Sequence, residues 1–198
     1  AEAKKAKEEA EAKKAKAEAE AKAKEDTRTA RLREIRERLH GCEESGDCAA
    51  VVAAMRADAG EARVQEWGCQ AVRVMMTTSD AEKRKEMAAA GAVELVVAAL
   101  KRFGAEDIEV VKQGCGALQN VCSGNADNKK AIASAGGVEL VVAALRAHGG
   151  AHAEVAKNGC GALLGLCWDT TANAAAIAAA VSAGAVPLVE AAVRAHPS

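Results

Sequence analysis

The octapeptide VELVVAAL occupies Val93–Leu100 and returns unchanged at Val138–Leu145, 45 residues further along the chain. The same interval carries GCGAL at Gly114–Leu118 onto GCGAL at Gly159–Leu163. Self-similarity at about 40 to 50 residues is typical of solenoids and propellers. The chain therefore contains a duplicated unit, and the residue pattern inside that unit decides which architecture it forms.

Inside this unit, apolar residues recur three and four positions apart in Ala-rich segments, which predicts helices throughout. Propeller blades require β-rich, aromatic sequence, whereas only 2% of this chain is aromatic. In the clearer copy we expect a first helix from about Asp127 to Gly136, a second from about Val138 to Ala147 and a third from about Ala153 to Cys167. Gly136 suits the left-handed position that ends the first helix. Three helices per unit indicate an α-solenoid.

Weaker copies flank the two clear ones. Gly68-Cys69 repeats Gly114-Cys115, and Ala183-Gly184-Ala185 begins a further copy. Ser79-Asp-Ala-Glu82 has the spacing of a capping box, which predicts the start of a first helix. We therefore expect a low-complexity Ala/Glu/Lys/Arg-rich helix at 1–40 and a repeat domain at 47–196. That domain divides into a partial repeat 47–78, repeats 79–123 and 124–168, and a partial repeat 169–196.

The motifs of the repeat resemble those of the armadillo family. They are Gly114-Cys-Gly-Ala-Leu-Gln-Asn-Val121, then Asn128-Lys-Lys-Ala-Ile132, then Ala135-Gly-Gly-Val138. The resemblance covers about three quarters of the chain, from Asp47 to His196. It implies an all-α fold, a right-handed α-solenoid of three-helix repeats preceded by a long charged N-terminal helix. It also implies a non-catalytic scaffold or adaptor whose partner is another protein.

The family resemblance further implies that the third helices line a concave face, where an extended segment or a helix of the partner binds. Asn120 matches the Asn that bonds the peptide backbone in the family, whereas Val74 and Gly165 replace it in the neighbouring units. Nuclear-import-type adaptors also carry a Trp four residues before this Asn; its absence makes that function the less favoured alternative. The residues predicted to face the partner are Trp67, Gln70, Gln113, Gly116, Asn120, Asn158, Gly161, Gly165 and Trp168.

Two features of this predicted surface have alternative explanations. A glycine inside a helix costs up to about 1 kcal/mol relative to alanine, so Gly116 and Gly161 indicate close approach by another backbone. That backbone belongs either to a partner or to the adjacent third helix, and the sequence leaves both open. Trp67 and Trp168 either anchor an interface or fill the core.

The seven cysteines are interpreted as small apolar core residues, because a free cysteine is frequently buried. Cys42 and Cys48 flank a turn and form the pair most suited to oxidation or metal binding, but no second pair of ligands accompanies them. The third helix of repeat 79–123 carries a predicted buried stripe at steps of three and four, formed by Ile108, Val111, Cys115, Leu118 and Cys122.

No grouping of residues with catalytic spacing is found. His148 and His152 are separated by Gly149-Gly150, so we expect them to be solvated loop residues rather than ligands. No nucleophile–base grouping or phosphate-binding loop recurs. The sequence therefore predicts no enzyme, no catalytic residue, no cofactor and no metal.

The N-terminal arm repeats AEAKKAK with a nine-residue period. Its Ala, Glu and Lys residues are strong helix formers, and pairs such as Glu18–Lys22 add small support. It lacks the Leu/Ile seam of a coiled coil, which predicts a self-standing charged helix. At its end Leu32, Ile35 and Leu39 form a stripe expected to dock on the first repeat. The flanking arginines alternate with glutamates, so nucleic acid is not a favoured partner.

Composition sets the remaining expectations. Seven cysteines within helical stretches favour a reducing, cytoplasmic compartment, and no stretch is long and apolar enough to span a membrane. The chain begins with Ala1 rather than Met, which predicts a processed product or a fragment.

The last copy lacks a third helix, so an apolar edge should need a cap. The alternative function is a structural subunit or linker of a larger assembly, tethered through the charged helix. The residues of the apolar edge are Val186, Leu188, Val189 and Val193.

Overall fold

The computed structural model describes residues 2–77, 81–168 and 174–197, with side chains from residue 11 onward. These residues form α-helices and one π-helical turn, and no strand occurs among them. The chain divides into two compact units, Ala1–Glu37 and Arg38–Ser198. The helices are α1 (Glu2–Ser45), α2 (Cys48–Ala57), α3 (Ala62–Met75), α4 (Ala81–Ala89), α5 (Ala92–Phe103), α6 (Ile108–Cys122), α7 (Ala126–Ser134), α8 (Gly137–Ala144), α9 (Ala153–Cys167), α10 (Ala174–Ser182) and α11 (Ala185–Ala195).

The first unit consists of the charged part of α1. All side chains from residue 11 to residue 31 are exposed. Lys14 and Glu18 lie 3.8 Å apart and Arg28 and Glu25 lie 3.3 Å apart, one turn along the helix. A helix without a buried face depends on helix propensity and on such pairs, each of which adds only a few tenths of a kcal/mol. The helix extends to Ser45, beyond the predicted end near His40.

The second unit is built from repeated helical triplets. Two triplets are complete, α4–α5–α6 and α7–α8–α9, and the pairs α2–α3 and α10–α11 flank them. The first and second helices meet at 74° for α7 and α8, and at 73° for α10 and α11. This arrangement is the predicted all-α solenoid. The first two residues of the capping box predicted at Ser79 lie outside the described ranges.

A glycine with positive φ forms each turn between a first and a second helix. The φ angles are +98° at Gly91, +81° at Gly136 and +78° at Gly184. Only glycine adopts this left-handed conformation without steric cost. The prediction for Gly136 is therefore confirmed, and the same device sets the crossing of helices in the other two copies.

The second helices of the two complete triplets differ at their ends. Helix α5 remains α-helical to Phe103, whereas α8 ends at Ala144 and continues as a π-helical turn from Leu145 to Gly149. The third helix after it has the predicted bounds, Ala153–Cys167. The α-helical part of the second helix in this copy is thus shorter than expected.

The third helices form the centre of the second unit. Helix α6 packs between α3 and α9, and these are the most extensive helix–helix contacts in the structure. Ten of its 15 residues are buried. The predicted stripe was too narrow, because α5 and α7 cover further sides of the same helix. Ile108, at its first turn, is only half-buried.

Close packing between second and third helices repeats from one triplet to the next. A Cβ atom on Gly114 would lie 2.8 Å from Cδ2 of Leu100, and a Cβ atom on Gly159 would lie 2.8 Å from Cδ2 of Leu145. Real Cβ atoms do not approach carbon this closely, so both positions need glycine while the leucine keeps its place. The first glycine of each GCGAL motif thus leaves room for a leucine of the second helix to pack against the backbone of the third helix.

Candidate functional site

The nine residues predicted to face a partner all lie on the third helices or at the end of one. We call the surface that they form the third-helix face. Helix α3 carries Trp67 and Gln70, and Trp168 is the C-cap of α9. The other six are Gln113, Gly116 and Asn120 on α6, and Asn158, Gly161 and Gly165 on α9.

Polar residues of this face bond the neighbouring third helix. Arg73 Nε donates to Gln113 Oε1 at 2.8 Å. Asn120 Nδ2 donates to the Arg73 carbonyl at 2.8 Å and to Thr77 Oγ1 at 3.2 Å. Carbonyls in the last turn of a helix lack an intrahelical partner, so Asn120 caps α3 from the next repeat. Asn158 likewise donates to the Lys112 carbonyl at 2.9 Å. These bonds hold successive repeats in register.

The three glycines of the face lie beneath side chains of the same chain. A Cβ atom on Gly116 would lie 2.4 Å from Arg73 Cδ. At Gly161 it would lie 2.6 Å from Gln119 Cδ, and at Gly165 it would lie 2.8 Å from the Cys122 sulfur. Packing between adjacent third helices therefore accounts for the glycines without a partner backbone.

Apolar side chains remain exposed along the same face. Trp168 is 68% exposed, Leu164 is 60% exposed and Val74 is 39% exposed, whereas Trp67 is half-buried. Leu164 and Trp168 are four residues apart, which places them on one side of α9. Leu164 was not predicted. The sequence did contain a sign of its exposure, because the equivalent position in the preceding copy is the polar residue Gln119.

An open cleft of about 920 Å³ lies beside Trp168, between the loop from Ser123 to Ala126 and the end of α9. Its walls include Lys129, which is only 8% exposed and donates from Nζ to the Trp168 carbonyl at 3.0 Å. Asn125 also lines it and is 5% exposed. We call this the Lys129 cleft. Neither residue was predicted, because Lys129 and Trp168 lie 39 residues apart, on the first helix and at the end of the third helix of one repeat.

Five of the seven cysteines are buried. Burial raises the pKa of Cys69 and Cys115 to about 12, and raises that of Cys122 to about 11. A thiol with so high a pKa supplies almost no thiolate at neutral pH, and the thiolate is the nucleophile. The interpretation of these three residues as apolar core is confirmed. Cys42 and Cys48 are also buried, and Cys160 and Cys167 are half-buried.

The expectation for His148 was wrong. Its Nε2 lies 3.0 Å from the Gly104 carbonyl, and because a carbonyl only accepts, Nε2–H is the donor. His196 makes the same contact with the Gly149 carbonyl at 3.0 Å. These histidines join the ends of successive second helices rather than standing in solvent. Among the described residues no group of three or more His, Cys, Asp or Glu is placed to hold a metal ion.

The helices were compared with the length and hydropathy that a membrane-spanning helix needs. In the described part of the chain no single helix has the length and hydropathy of a span. Two pairs of consecutive helices have this length and hydropathy only when the two helices of a pair are taken together, and each pair is bent. They are α7 with α8 and its π-helical turn, and α10 with α11.

Solved structures with the same fold include two artificial proteins. The crystal structure of an engineered protein is 28% identical, with a TM-score of 0.61, covering 83% of this chain and 69% of that one. A designed armadillo repeat protein is 21% identical, with a TM-score of 0.60, covering 83% of this chain and 72% of that one. No family model and no curated protein matches the chain. The fold is that of an armadillo-like repeat protein, as the resemblance of its motifs implied.

Proposed function

We propose that the chain is a non-catalytic scaffold or adaptor that binds a segment of another protein on the third-helix face. The observation that carries the proposal is the exposure of Leu164 and Trp168 on one side of α9, a helix whose other leucines, Leu163 and Leu166, are buried. Exposed apolar side chains that cluster on one surface are typical of interaction sites. The armadillo-like fold of the repeat domain supports the same class of function.

Within this face the predicted residues have two kinds of role. Gln113, Asn120 and Asn158 bond the adjacent helix and so shape the surface. Trp168 anchors the partner, together with Leu164 and Val74, because these side chains lose exposed apolar area on binding. Since the Asn120 amide already donates to the Arg73 carbonyl, we do not favour the nuclear-import-type mode, in which this Asn bonds the peptide backbone.

A displayed library of random dodecapeptides tests the proposal. Selected peptides should bind the wild-type chain saturably, and Leu164→Arg should weaken binding at least tenfold because it places a charge in an apolar contact. Val181→Arg is the matched control, since Val181 is equally exposed, at 61%, but lies on α10. Equal binding by wild type and Leu164→Arg would refute the surface, and a library without saturable binders would refute the scaffold function.

The exposed face of α11 favours a second candidate, a structural part of a larger assembly. Val186 is 58% exposed and Val193 is 62% exposed, whereas Leu188 and Val189 are half-buried. Exposed apolar side chains that share one helix face are typical of interaction surfaces. We propose that this edge associates with another subunit.

Light scattering as a function of concentration tests the second candidate. The wild-type mass should rise above the 20.2 kDa of one chain. The double substitution Val186→Glu with Val193→Glu should keep the mass at the monomer value, because buried carboxylates without partners are costly. A wild-type chain that stays monomeric at millimolar concentration would contradict self-association through this edge.

A further inference from the structure

The Lys129 cleft holds a buried cation. Lys129 is 8% exposed, and its ammonium group donates one hydrogen bond, to the Trp168 carbonyl at 3.0 Å. An ammonium group has three donors, so two have no acceptor in the described part of the chain. No described carboxylate forms an ion pair with it. Because a buried charge without a counter-ion is costly, this site favours an anion.

A second buried donor lines the same cleft. Asn125 is 5% exposed, and its Oδ1 accepts from the backbone N–H groups of Asp127, at 3.1 Å, and Asn128, at 3.0 Å. Its Nδ2 is buried and has no hydrogen-bond partner among the described residues. A buried amide donor without an acceptor is rare in folded proteins. Asn125 also caps the nine-residue helix α7, whose positive N-terminal dipole favours negative charge.

An apolar ledge borders these donors. Trp168 also lines the cleft, and Leu164 lies one turn before it; both side chains are more than half exposed. A ligand that fills the whole site must therefore present one anionic group next to a large apolar group. A single lysine provides one positive charge, which matches a carboxylate better than a phosphate dianion.

We propose that the Lys129 cleft binds the side-chain carboxylate of an Asp or Glu in the partner segment, with a neighbouring Leu, Ile or Phe packed on Leu164 and Trp168. The inference rests on the proposed scaffold function and specifies the chemistry of its partner. The carboxylate accepts from Lys129 Nζ and Asn125 Nδ2, and the apolar neighbour covers the indole ring.

Peptides from the dodecapeptide library provide the probe. Sequences recovered by selection should be enriched in Asp or Glu beside a large apolar residue. One such peptide, synthesised with an amidated C-terminus, is compared with its Glu→Gln or Asp→Asn counterpart. Binding is followed in a Trp67→Phe background, where Trp168 is the only tryptophan. Its emission should shift to the blue as the peptide covers the ring, and the amide peptide should bind at least tenfold more weakly.

Two variants of the protein make the test specific. Asn125→Asp keeps the oxygen that caps α7 but replaces the Nδ2 donor by an acceptor. It should therefore weaken the binding of the acidic peptide at least tenfold and leave the binding of the amide peptide unchanged. Lys129→Met should remove the preference for the acidic peptide. Lys130→Met is the matched control, because Lys130 is the next residue and is exposed.

The outcomes separate the inference from the scaffold function. If the selected peptides bind the wild type and lose this binding in Leu164→Arg, but the acidic and amide peptides bind equally, the carboxylate site is refuted and the scaffold function stands. Equal binding of the acidic peptide to wild type and Asn125→Asp also refutes the site. If no peptide binds saturably, the scaffold function itself is refuted.

Discussion

Replacing Leu166 by alanine is expected to lower the free energy of unfolding by about 3 to 4 kcal/mol. Leu166 is 0% exposed and lies in the second half of α9. The substitution removes buried apolar atoms and leaves a cavity, because the helices around it relax only in part. A domain of this size has a total stability of about 5 to 15 kcal/mol, so the loss is a large fraction of it.

Leu164→Ala is the matched control for this experiment. It is the same substitution two residues earlier on the same helix, but the side chain is 60% exposed. We expect a change within about 0.5 kcal/mol. Urea denaturation followed by circular dichroism measures both. Equal losses would mean that α9 is oriented differently, and the third-helix face would then be wrong as well.

The second large effect is a loss of stability at alkaline pH. Burial raises the pKa of Cys69 and Cys115 from 9.0 to about 12. Between these values both thiols are protonated in the folded chain and ionised in the unfolded chain. The unfolded state therefore binds fewer protons, and the free energy of unfolding falls as the pH rises. Each thiol lowers the free energy of unfolding by about 0.7 kcal/mol per pH unit at pH 9, and by about 1.4 kcal/mol per pH unit above about pH 10.

The double substitution Cys69→Ala with Cys115→Ala isolates this contribution. It should reduce the fall in stability between pH 9 and 10 by about 2 kcal/mol, because the unfolded thiols are half ionised at pH 9 and almost fully ionised at pH 10, while other groups contribute as before. Cys160→Ala is the control, because Cys160 is only half-buried. Urea denaturation at closely spaced pH values gives the slopes. An unchanged slope in the double variant would show that these thiols are accessible in the folded chain.

The polar residues of the third-helix face have consequences for engineering the surface. Asn120 and Gln113 match positions that would face a partner, yet their side chains bond Arg73 of the adjacent repeat. Substituting them would alter repeat packing and binding together. Exposed residues such as Leu164 and Trp168 separate the two effects, since they contribute little to the folded core.

Much of the fold was predictable from the sequence, because its determinants are local or periodic. The return of VELVVAAL and GCGAL predicted repeated helical triplets, and the glycine at 136 predicted the turn between the first two helices. Spacing of apolar residues and capping side chains depend only on neighbours within one helix, so they can be inferred without the tertiary structure. The assignment of the thiols to the core followed from the same periodicity.

Only the tertiary structure decided which side chains remain exposed and can contact a partner. Lys129 and Trp168 are 39 residues apart and meet because α7 packs against the end of α9. Asn120 reaches Arg73 across 47 residues, so its amide group is engaged within the chain. Helical periodicity shows which residues share a face, but it does not show how far the next helix covers that face. That coverage depends on the packing of one repeat on another, and it separates residues that hold the solenoid together from residues that can bind.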